Sequence, residues 1–170
     1  FLEAFGNAKT TMNDNSSRFG KFTMIQLADG KIVGASFNHY LLEKARLTDQ
    51  GIDERNYHIF YFLLKGCTPE EKAQFKLKDV ETYDMLMHGN TAVIKHETKE
   101  DGTNTYDTDR FNNALHEDPD DTGTRAALTN ANVDADTQNK MWGTITAILN
   151  LGKLLLACSQ TSYPPPRPDA

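Results

Sequence analysis

Residues 13–21 place hydroxyl, amide and guanidinium groups in one short polar run, Asn-Asp-Asn-Ser-Ser-Arg-Phe-Gly-Lys. Backbone amides and hydroxyls can bind phosphate oxygens, and a serine oxygen is a hard ligand that suits Mg²⁺. The guanidinium of Arg18 can hold a carboxylate or a phosphate through two parallel hydrogen bonds. The same composition is typical of an ordinary polar turn before a strand. The residue types alone therefore leave two interpretations open, a polyphosphate-binding loop or a plain turn.

The segments on either side of this run predict the elements that would position it. Residues 1–12 are typical of a short helical end that breaks at Gly6-Asn7, since Gly and Asn tolerate the conformation that closes a helix. Residues 13–20 show neither helical nor alternating periodicity, which predicts a loop. Two β-rich runs, 21–27 and 31–37, flank Ala28-Asp29-Gly30, and this pattern predicts an antiparallel hairpin.

Helical spacing returns further along the chain. Residues 53–65 predict a helix with Asp53 as its N-cap and with one apolar face formed by Ile59, Phe60, Leu63 and Leu64. Thr68-Pro69-Glu70-Glu71 is a capping box that starts a second helix at Pro69. We expect further helices over 80–87 and 137–151, the latter capped by Asp136 or Thr137, and a core role for Trp142. Together these elements predict a mixed α/β fold.

Residues 97–136 differ in composition from the rest of the chain. They contain eleven acidic residues against Lys99, Arg110 and Arg125, with few apolar residues between them. Such a segment cannot bury enough surface to offset the entropy of ordering it, so we predict a mobile acidic insert. The end of the chain, 153–170, contains the run Tyr-Pro-Pro-Pro-Arg-Pro and predicts an extended, disordered tail.

Composition limits the classes of function. The 170 residues fit one domain, and the net charge of −6 provides no general attraction for nucleic acid. No apolar run reaches the length of a membrane span, and two cysteines, Cys67 and Cys158, are too few for a disulfide framework. We expect both to be reduced and structural. The sequence begins at Phe1 within a predicted helix, which suggests a piece of a longer protein.

The identity of the polar run favours the first interpretation. Asn-x-Asn-Ser-Ser-Arg-Phe-Gly-Lys, preceded by Leu-Glu-Ala-Phe-Gly-Asn-Ala-Lys-Thr at 2–10, resembles the switch I region of the myosin motor domain. The resemblance continues through Tyr-Leu-Leu-Glu-Lys-Ala-Arg at 40–46 and Glu-Arg-Asn-Tyr-His-Ile-Phe-Tyr at 54–61. After the acidic segment, Ile-Thr-Ala-Ile-Leu-Asn-Leu-Gly at 145–152 is similar to a helix of the same family. The chain is therefore identified as part of a myosin head, comprising residues 1–152 and drawn from its upper half.

The resemblance implies a role for each polar residue. Ser17 would ligate Mg²⁺ through its hydroxyl, and Ser16 would lie near the γ-phosphate of ATP and the attacking water. Asn13 would contact phosphate oxygens, with Asn7 beside the phosphates. In the family, Arg18 pairs with a glutamate of switch II when the γ-phosphate is present, so Ser16 and Arg18 would be the catalytic residues. The hairpin would belong to the central sheet that couples the nucleotide to the actin-binding cleft.

The resemblance also implies the function of the parent protein. It would be an ATP-driven motor of the cytoplasmic cytoskeleton, with ATP and Mg²⁺ at its site and with actin filaments and the remainder of the heavy chain as partners. The sequence contains neither a Gly-x-x-x-x-Gly-Lys-[Ser/Thr] phosphate loop nor a switch II motif. We therefore expect this chain to be inactive on its own. Two alternatives stay open: a truncated, non-catalytic interaction protein, or a gene-model fragment in which 153–170 is translated intron.

Overall fold

Short elements come first along the chain, and a long helix comes last. The computed structural model describes residues 1–94 and 123–160. The helices are α1 (Leu2–Gly6), α2 (His58–Gly66), α3 (Pro69–Phe75), α4 (Asp84–Met87), α5 (Thr124–Asn130) and α6 (Ala135–Gln160), with 3-10 turns at Lys44–Leu47 and Val80–Thr82. The strands are β1 (Asn7–Ala8), β2 (Ser16–Ser17), β3 (Gly20–Ala28) and β4 (Lys31–Tyr40). The predicted mixed α/β class and the break of α1 at Gly6-Asn7 are confirmed.

The predicted hairpin is confirmed and is longer than expected. Strands β3 and β4 pair antiparallel from Gly20 opposite Tyr40 to Ala28 opposite Lys31. Asp29 and Gly30 both have positive φ, 49° and 73°, as a type I′ turn requires. The Asp-Gly pair supplies this turn because these two residues tolerate the left-handed conformation.

Large apolar side chains lie exposed on both faces of the hairpin. Phe22 and Met24 share one face, and Ile25 and Leu27 share the other, because side chains alternate along a strand. Phe37, opposite Thr23 on the partner strand, is 52% exposed. Strands with apolar residues on both faces are typical of the interior of a covered sheet.

Helix α2 is the centre of the core, but it begins later than the sequence predicts. All of its residues except Lys65 are buried. Asp53 has φ of +63°, so it is not the N-cap, and the prediction of a helix start there was wrong. The segment before α2 pairs with the start of the chain instead, since the amide of Arg55 donates to the carbonyl of Lys9 and Tyr57 bridges Ala8.

Helices α4 and α6 complete the core around α2. Trp142, Ile145 and Leu149 of α6 are buried with the apolar residues of α2, and the predicted core role of Trp142 is confirmed. The hydroxyl of Tyr61 donates to the carbonyl of Leu86 at 2.9 Å. The predicted helix over 137–151 is confirmed within the longer α6. Its cap is Asp134, which accepts from the Thr137 amide at 2.9 Å, so the predicted caps Asp136 and Thr137 were wrong.

The acidic segment is partly structured. The prediction of a loop was wrong for Thr124–Asn130, which is helical, because Leu128 is buried in the core and Arg125 pairs with Glu71 of α3 at 2.7 Å. The part at 97–122 and the end of the tail at 161–170 lie outside the described residues, so their mobility stays a prediction. The prediction of a disordered tail was wrong for 153–160, which continue helix α6. Cys67 is a free, buried cysteine, and burial raises the pKa of its thiol to about 11.

The capping box of α3 is confirmed and gives a first testable prediction. The Glu71 amide donates to the Thr68 hydroxyl at 3.2 Å, and the Thr68 amide donates to the Glu71 carboxylate at 2.9 Å. Thr68→Ala removes one of these bonds and is expected to lower the free energy of unfolding by about 1 kcal/mol. Urea unfolding followed by the fluorescence of Trp142, the only tryptophan, measures it. Thr11→Ala, an exposed loop change, is the control, and an equal loss in both variants would contradict the prediction.

Candidate nucleotide-binding loop

The middle of the polar run is held by the start of the chain. Strand β2 pairs antiparallel with β1, with Asn7 opposite Ser17 and Ala8 opposite Ser16, and the Arg18 amide donates to the Gly6 carbonyl at 2.8 Å. The prediction of a loop was therefore wrong at Ser16 and Ser17. Their pairing partner lies elsewhere in the sequence, so it leaves no periodicity within the run itself.

Gly6 packs closely against the aromatic ring of Phe19, the residue that follows Arg18. A Cβ atom built on Gly6 would lie 2.3 Å from the ring of Phe19. Such a distance is far inside van der Waals contact, so a larger residue at position 6 would displace the aromatic ring. The glycine thereby lets Phe19 pack against the end of α1 directly after Arg18.

The side chain of Asn15 connects the run to three other segments. Its carbonyl oxygen accepts from Nδ2 of Asn7 at 3.0 Å and lies 3.2 Å from Nε2 of His58. Its amide nitrogen donates to the carboxylate of Glu3 at 3.0 Å. Sequence reasoning missed these contacts of Asn15 and His58. The sequence signal that could have indicated the contact with His58 was the motif at 54–61, which contains the start of α2.

The hydroxyls of Ser16 and Ser17 have different environments. Ser17 is exposed, and its Oγ donates to the carbonyl of Phe19 at 3.0 Å. Because its proton is directed to that carbonyl, the lone pairs of the Ser17 oxygen remain available to ligate a metal ion. Ser16 is half-buried, and its Oγ accepts from Nη1 of Arg18 at 3.1 Å. The donor chemistry of Ser17 therefore fits Mg²⁺.

The two asparagines that the resemblance assigns to the phosphates lie at different depths. Asn13 is exposed in the turn that precedes β2, where its Oδ1 accepts from the Asn15 amide at 2.8 Å. Asn7 is only 6% exposed, and its amide nitrogen points to Asn15. The structure thus places Asn13 on the outer surface of the run and Asn7 behind it.

Arg18 belongs to a network of four charged side chains. Its Nε donates to Oε2 of Glu43 at 2.6 Å, and Nε of Arg46 donates to the same oxygen at 2.7 Å. Nη2 of Arg46 donates to Glu54 at 3.1 Å. Burial disfavours the charge of Glu43, but the hydrogen bonds from Arg18 and Arg46 outweigh burial and lower the pKa of this carboxyl. Sequence reasoning missed Glu43 as a partner of Arg18.

Comparison with known proteins identifies the architecture that this site belongs to. The family described as the myosin head (motor domain) matches residues 1–164. The chain belongs to this family. It is 43% identical over 154 residues to Myosin-2 of Lachancea kluyveri, a match that covers 90% of the chain and 9% of that relative. It is 40% identical over 153 residues to human unconventional myosin-XV, covering 90% of the chain and 4% of that protein.

A third relative matches a shorter stretch with higher identity. The non-muscle myosin heavy chain of Drosophila melanogaster is 57% identical over 93 residues, which is 54% of this chain and 4% of that protein. The chain thus spans less than a tenth of each of these three myosins. Its resemblance to the myosin motor domain is confirmed, and it matches part of the myosin head.

One further observation defines which side chains of this myosin head segment could hold a metal ion. The described residues contain no group of three or more His, Cys, Asp or Glu side chains that could hold a metal ion. The metal site predicted at Ser17 therefore depends on a hydroxyl, and Mg²⁺ commonly completes such a site with waters and substrate phosphates.

None of the helices among the described residues is long and apolar enough to cross a membrane.

Proposed function

We propose that residues 13–21 are the switch I loop of an actin-based, ATP-driven motor and that they contact Mg²⁺ and the γ-phosphate of ATP. The observation that carries this proposal is the exposed Ser17 hydroxyl, whose proton is directed to the Phe19 carbonyl, so that its oxygen lone pairs stay available to a metal ion. The strand pairing of Ser16 and Ser17 with β1 supports it, because a ligating loop must be held in place.

Each residue has a defined part in the proposed site. Ser17 holds Mg²⁺ through its oxygen, and Ser16 orients the attacking water near the γ-phosphate. Asn13, exposed in the turn, donates to phosphate oxygens, while Asn7 keeps Asn15 and hence the turn in place. Bound Mg²⁺ neutralises the charge that develops on the phosphoryl group.

Arg18 gives the loop its switching property. Loops of this kind are ordered by contacts to the γ-phosphate and its metal ion and are released after hydrolysis. In the proposed motor, Arg18 closes the site by pairing with a carboxylate of switch II, which this chain does not contain. Arg18 thereby links the presence of the γ-phosphate to the position of a second segment.

The exposed faces of the hairpin support a larger parent structure. Apolar side chains such as Phe22, Ile25 and Phe37 are more than half exposed, which is unfavourable unless other strands and helices cover them. We infer that the hairpin belongs to the central sheet of the head. The partners are then the remainder of the heavy chain and actin filaments, and the location is the cytoplasmic cytoskeleton.

The 170-residue chain by itself tests what this loop contributes. Phosphoryl transfer depends on positioning and electrostatic stabilisation by several segments together. A nucleotide held by residues 13–18 alone would stay in water, where screening weakens its charged contacts. We expect the isolated chain to bind Mg·ATP no tighter than about 1 mM, or −4 kcal/mol, and to show no actin-stimulated turnover.

Calorimetry with Mg·ATP and phosphate release with and without actin filaments measure both quantities. Ser17→Ala is the matched variant, since it removes one oxygen from the exposed surface of the loop. Micromolar binding, or phosphate release that disappears in Ser17→Ala, would contradict the expectation and would mean that the isolated chain assembles a working site.

A further inference from the structure

Glu43 is fixed from several directions at once. Its backbone amide donates to the carbonyl of Arg18 at 3.1 Å, and its own carbonyl accepts from the hydroxyl of Tyr57 at 2.7 Å. Its carboxylate accepts from Arg46, which is only 4% exposed and which also donates to the carbonyl of Arg55 at 3.0 Å. Because this inner side of the network is buried and bonded, the carboxylate of Glu43 has a defined position.

The hydrogen bond to Glu43 occupies one edge of the Arg18 guanidinium. The Nε of Arg18 donates to Glu43 at 2.6 Å, and Nη1 donates to the Ser16 hydroxyl at 3.1 Å. A guanidinium has five N–H donors in a planar fork, so three remain, on Nη1 and Nη2. Within the described part of the chain, no other hydrogen bond of the Arg18 guanidinium is present. The end of the fork is thus directed away from Glu43.

We propose that Glu43 is a positioning residue that holds the guanidinium of Arg18 by its Nε edge, so that the opposite end can receive a second carboxylate while Nη1 orients Ser16. This inference rests on the proposed switch I function. It adds that the arginine is pre-oriented from within this chain. A rigid fork that is already aligned loses less conformational entropy when the second carboxylate binds.

Glu43 also contacts Arg46, so a purely structural role must be separated from positioning. The Arg18–Glu43 pair lies near the surface, with side chains 29% and 34% exposed, and exposed ion pairs contribute little to stability. A positioning role instead affects the chemical step, because a displacement of about 1 Å at a reacting group can cost about 100-fold in rate. The two roles therefore predict different measurements.

The test uses a complete myosin head that contains this sequence together with a phosphate loop and a switch II segment. Glu43→Gln is expected to slow single-turnover ATP hydrolysis by about 10- to 100-fold and to leave ATP affinity within about twofold. Glu43→Asp, which keeps the charge, is expected to recover part of the rate. In an Arg18→Ala background, Glu43→Gln is expected to add no further loss, because its effect passes through Arg18. Glu81→Gln, at an exposed acid, is the control.

The possible outcomes separate the positioning role of Glu43 from the proposed switch I function. An equal further loss from Glu43→Gln in the Arg18→Ala background would overturn the positioning role, and so would an unchanged rate in Glu43→Gln when Arg18→Ala is slow. If Arg18→Ala itself hydrolyses ATP at the normal rate, the proposed switch I function fails instead. Should Glu43→Gln not fold, Glu43→Asp is measured in the same cycle, with a smaller but equally non-additive loss expected.

Discussion

Ser17→Ala in a complete myosin head that contains this sequence is expected to slow ATP hydrolysis by about 100- to 1,000-fold. The substitution removes the exposed oxygen that we assign to Mg²⁺, together with the hydrogen bond to the Phe19 carbonyl. The remaining ligands would hold the metal ion less precisely, so the charge that develops during phosphoryl transfer is less well stabilised. Quenched-flow measurement of a single turnover gives the rate of the chemical step directly.

Two further variants show whether the loss comes from the metal ion. Ser17→Cys replaces a hard oxygen by a softer sulfur, which prefers softer metal ions. It is expected to be inactive with Mg²⁺ and partly active with Mn²⁺ or Cd²⁺. Ser36→Ala, a serine change on β4 away from the loop, is the control. Equal activity of Ser17→Cys with every metal ion would contradict direct ligation by Ser17.

Leu63→Ala is expected to lower the free energy of unfolding of this chain by about 2–5 kcal/mol. Leu63 is fully buried in the middle of α2, surrounded by the other core residues. Its removal costs the transfer free energy of the lost methine and two methyl groups and leaves a cavity that the neighbours fill only in part. Urea unfolding followed by Trp142 fluorescence measures the change, since Trp142 packs in the same core.

Lys65→Ala provides the control within the same helix. Lys65 is the exposed residue of α2, so its substitution is expected to change the free energy of unfolding by less than about 0.5 kcal/mol. Similar losses in the two variants would mean that α2 does not form the centre of the core in solution.

The features that the sequence predicts correctly depend on nearby residues. Asp29-Gly30 determines a type I′ turn by itself, and Thr68 with Glu71 forms a cap across one helical turn. The apolar spacing within 59–64 likewise predicts core positions, although the rest of α2 except Lys65 is buried as well. Such features need only a few consecutive residues, so the residue types are sufficient to predict them.

The features that were missed depend on residues far apart in the chain. The start of α2 is delayed because Arg55 and Tyr57 pair with Lys9 and Ala8, and no local pattern contains that information. For the candidate site, the resemblance supplied the role of each residue. Residue types could not show that Glu43, 25 positions after Arg18, is its partner.

The hairpin has a consequence for any cell that makes this chain alone. In the described residues, β3 and β4 pair only with each other, so each has an open edge that presents backbone donors and acceptors beside exposed apolar side chains. Open edges of this kind are templates for pairing between molecules and for aggregation. The rest of a myosin head would act as an intramolecular chaperone, because it would cover the open edges and apolar side chains of this hairpin. Expressed without it, the chain would need a folding helper or would be cleared by quality control.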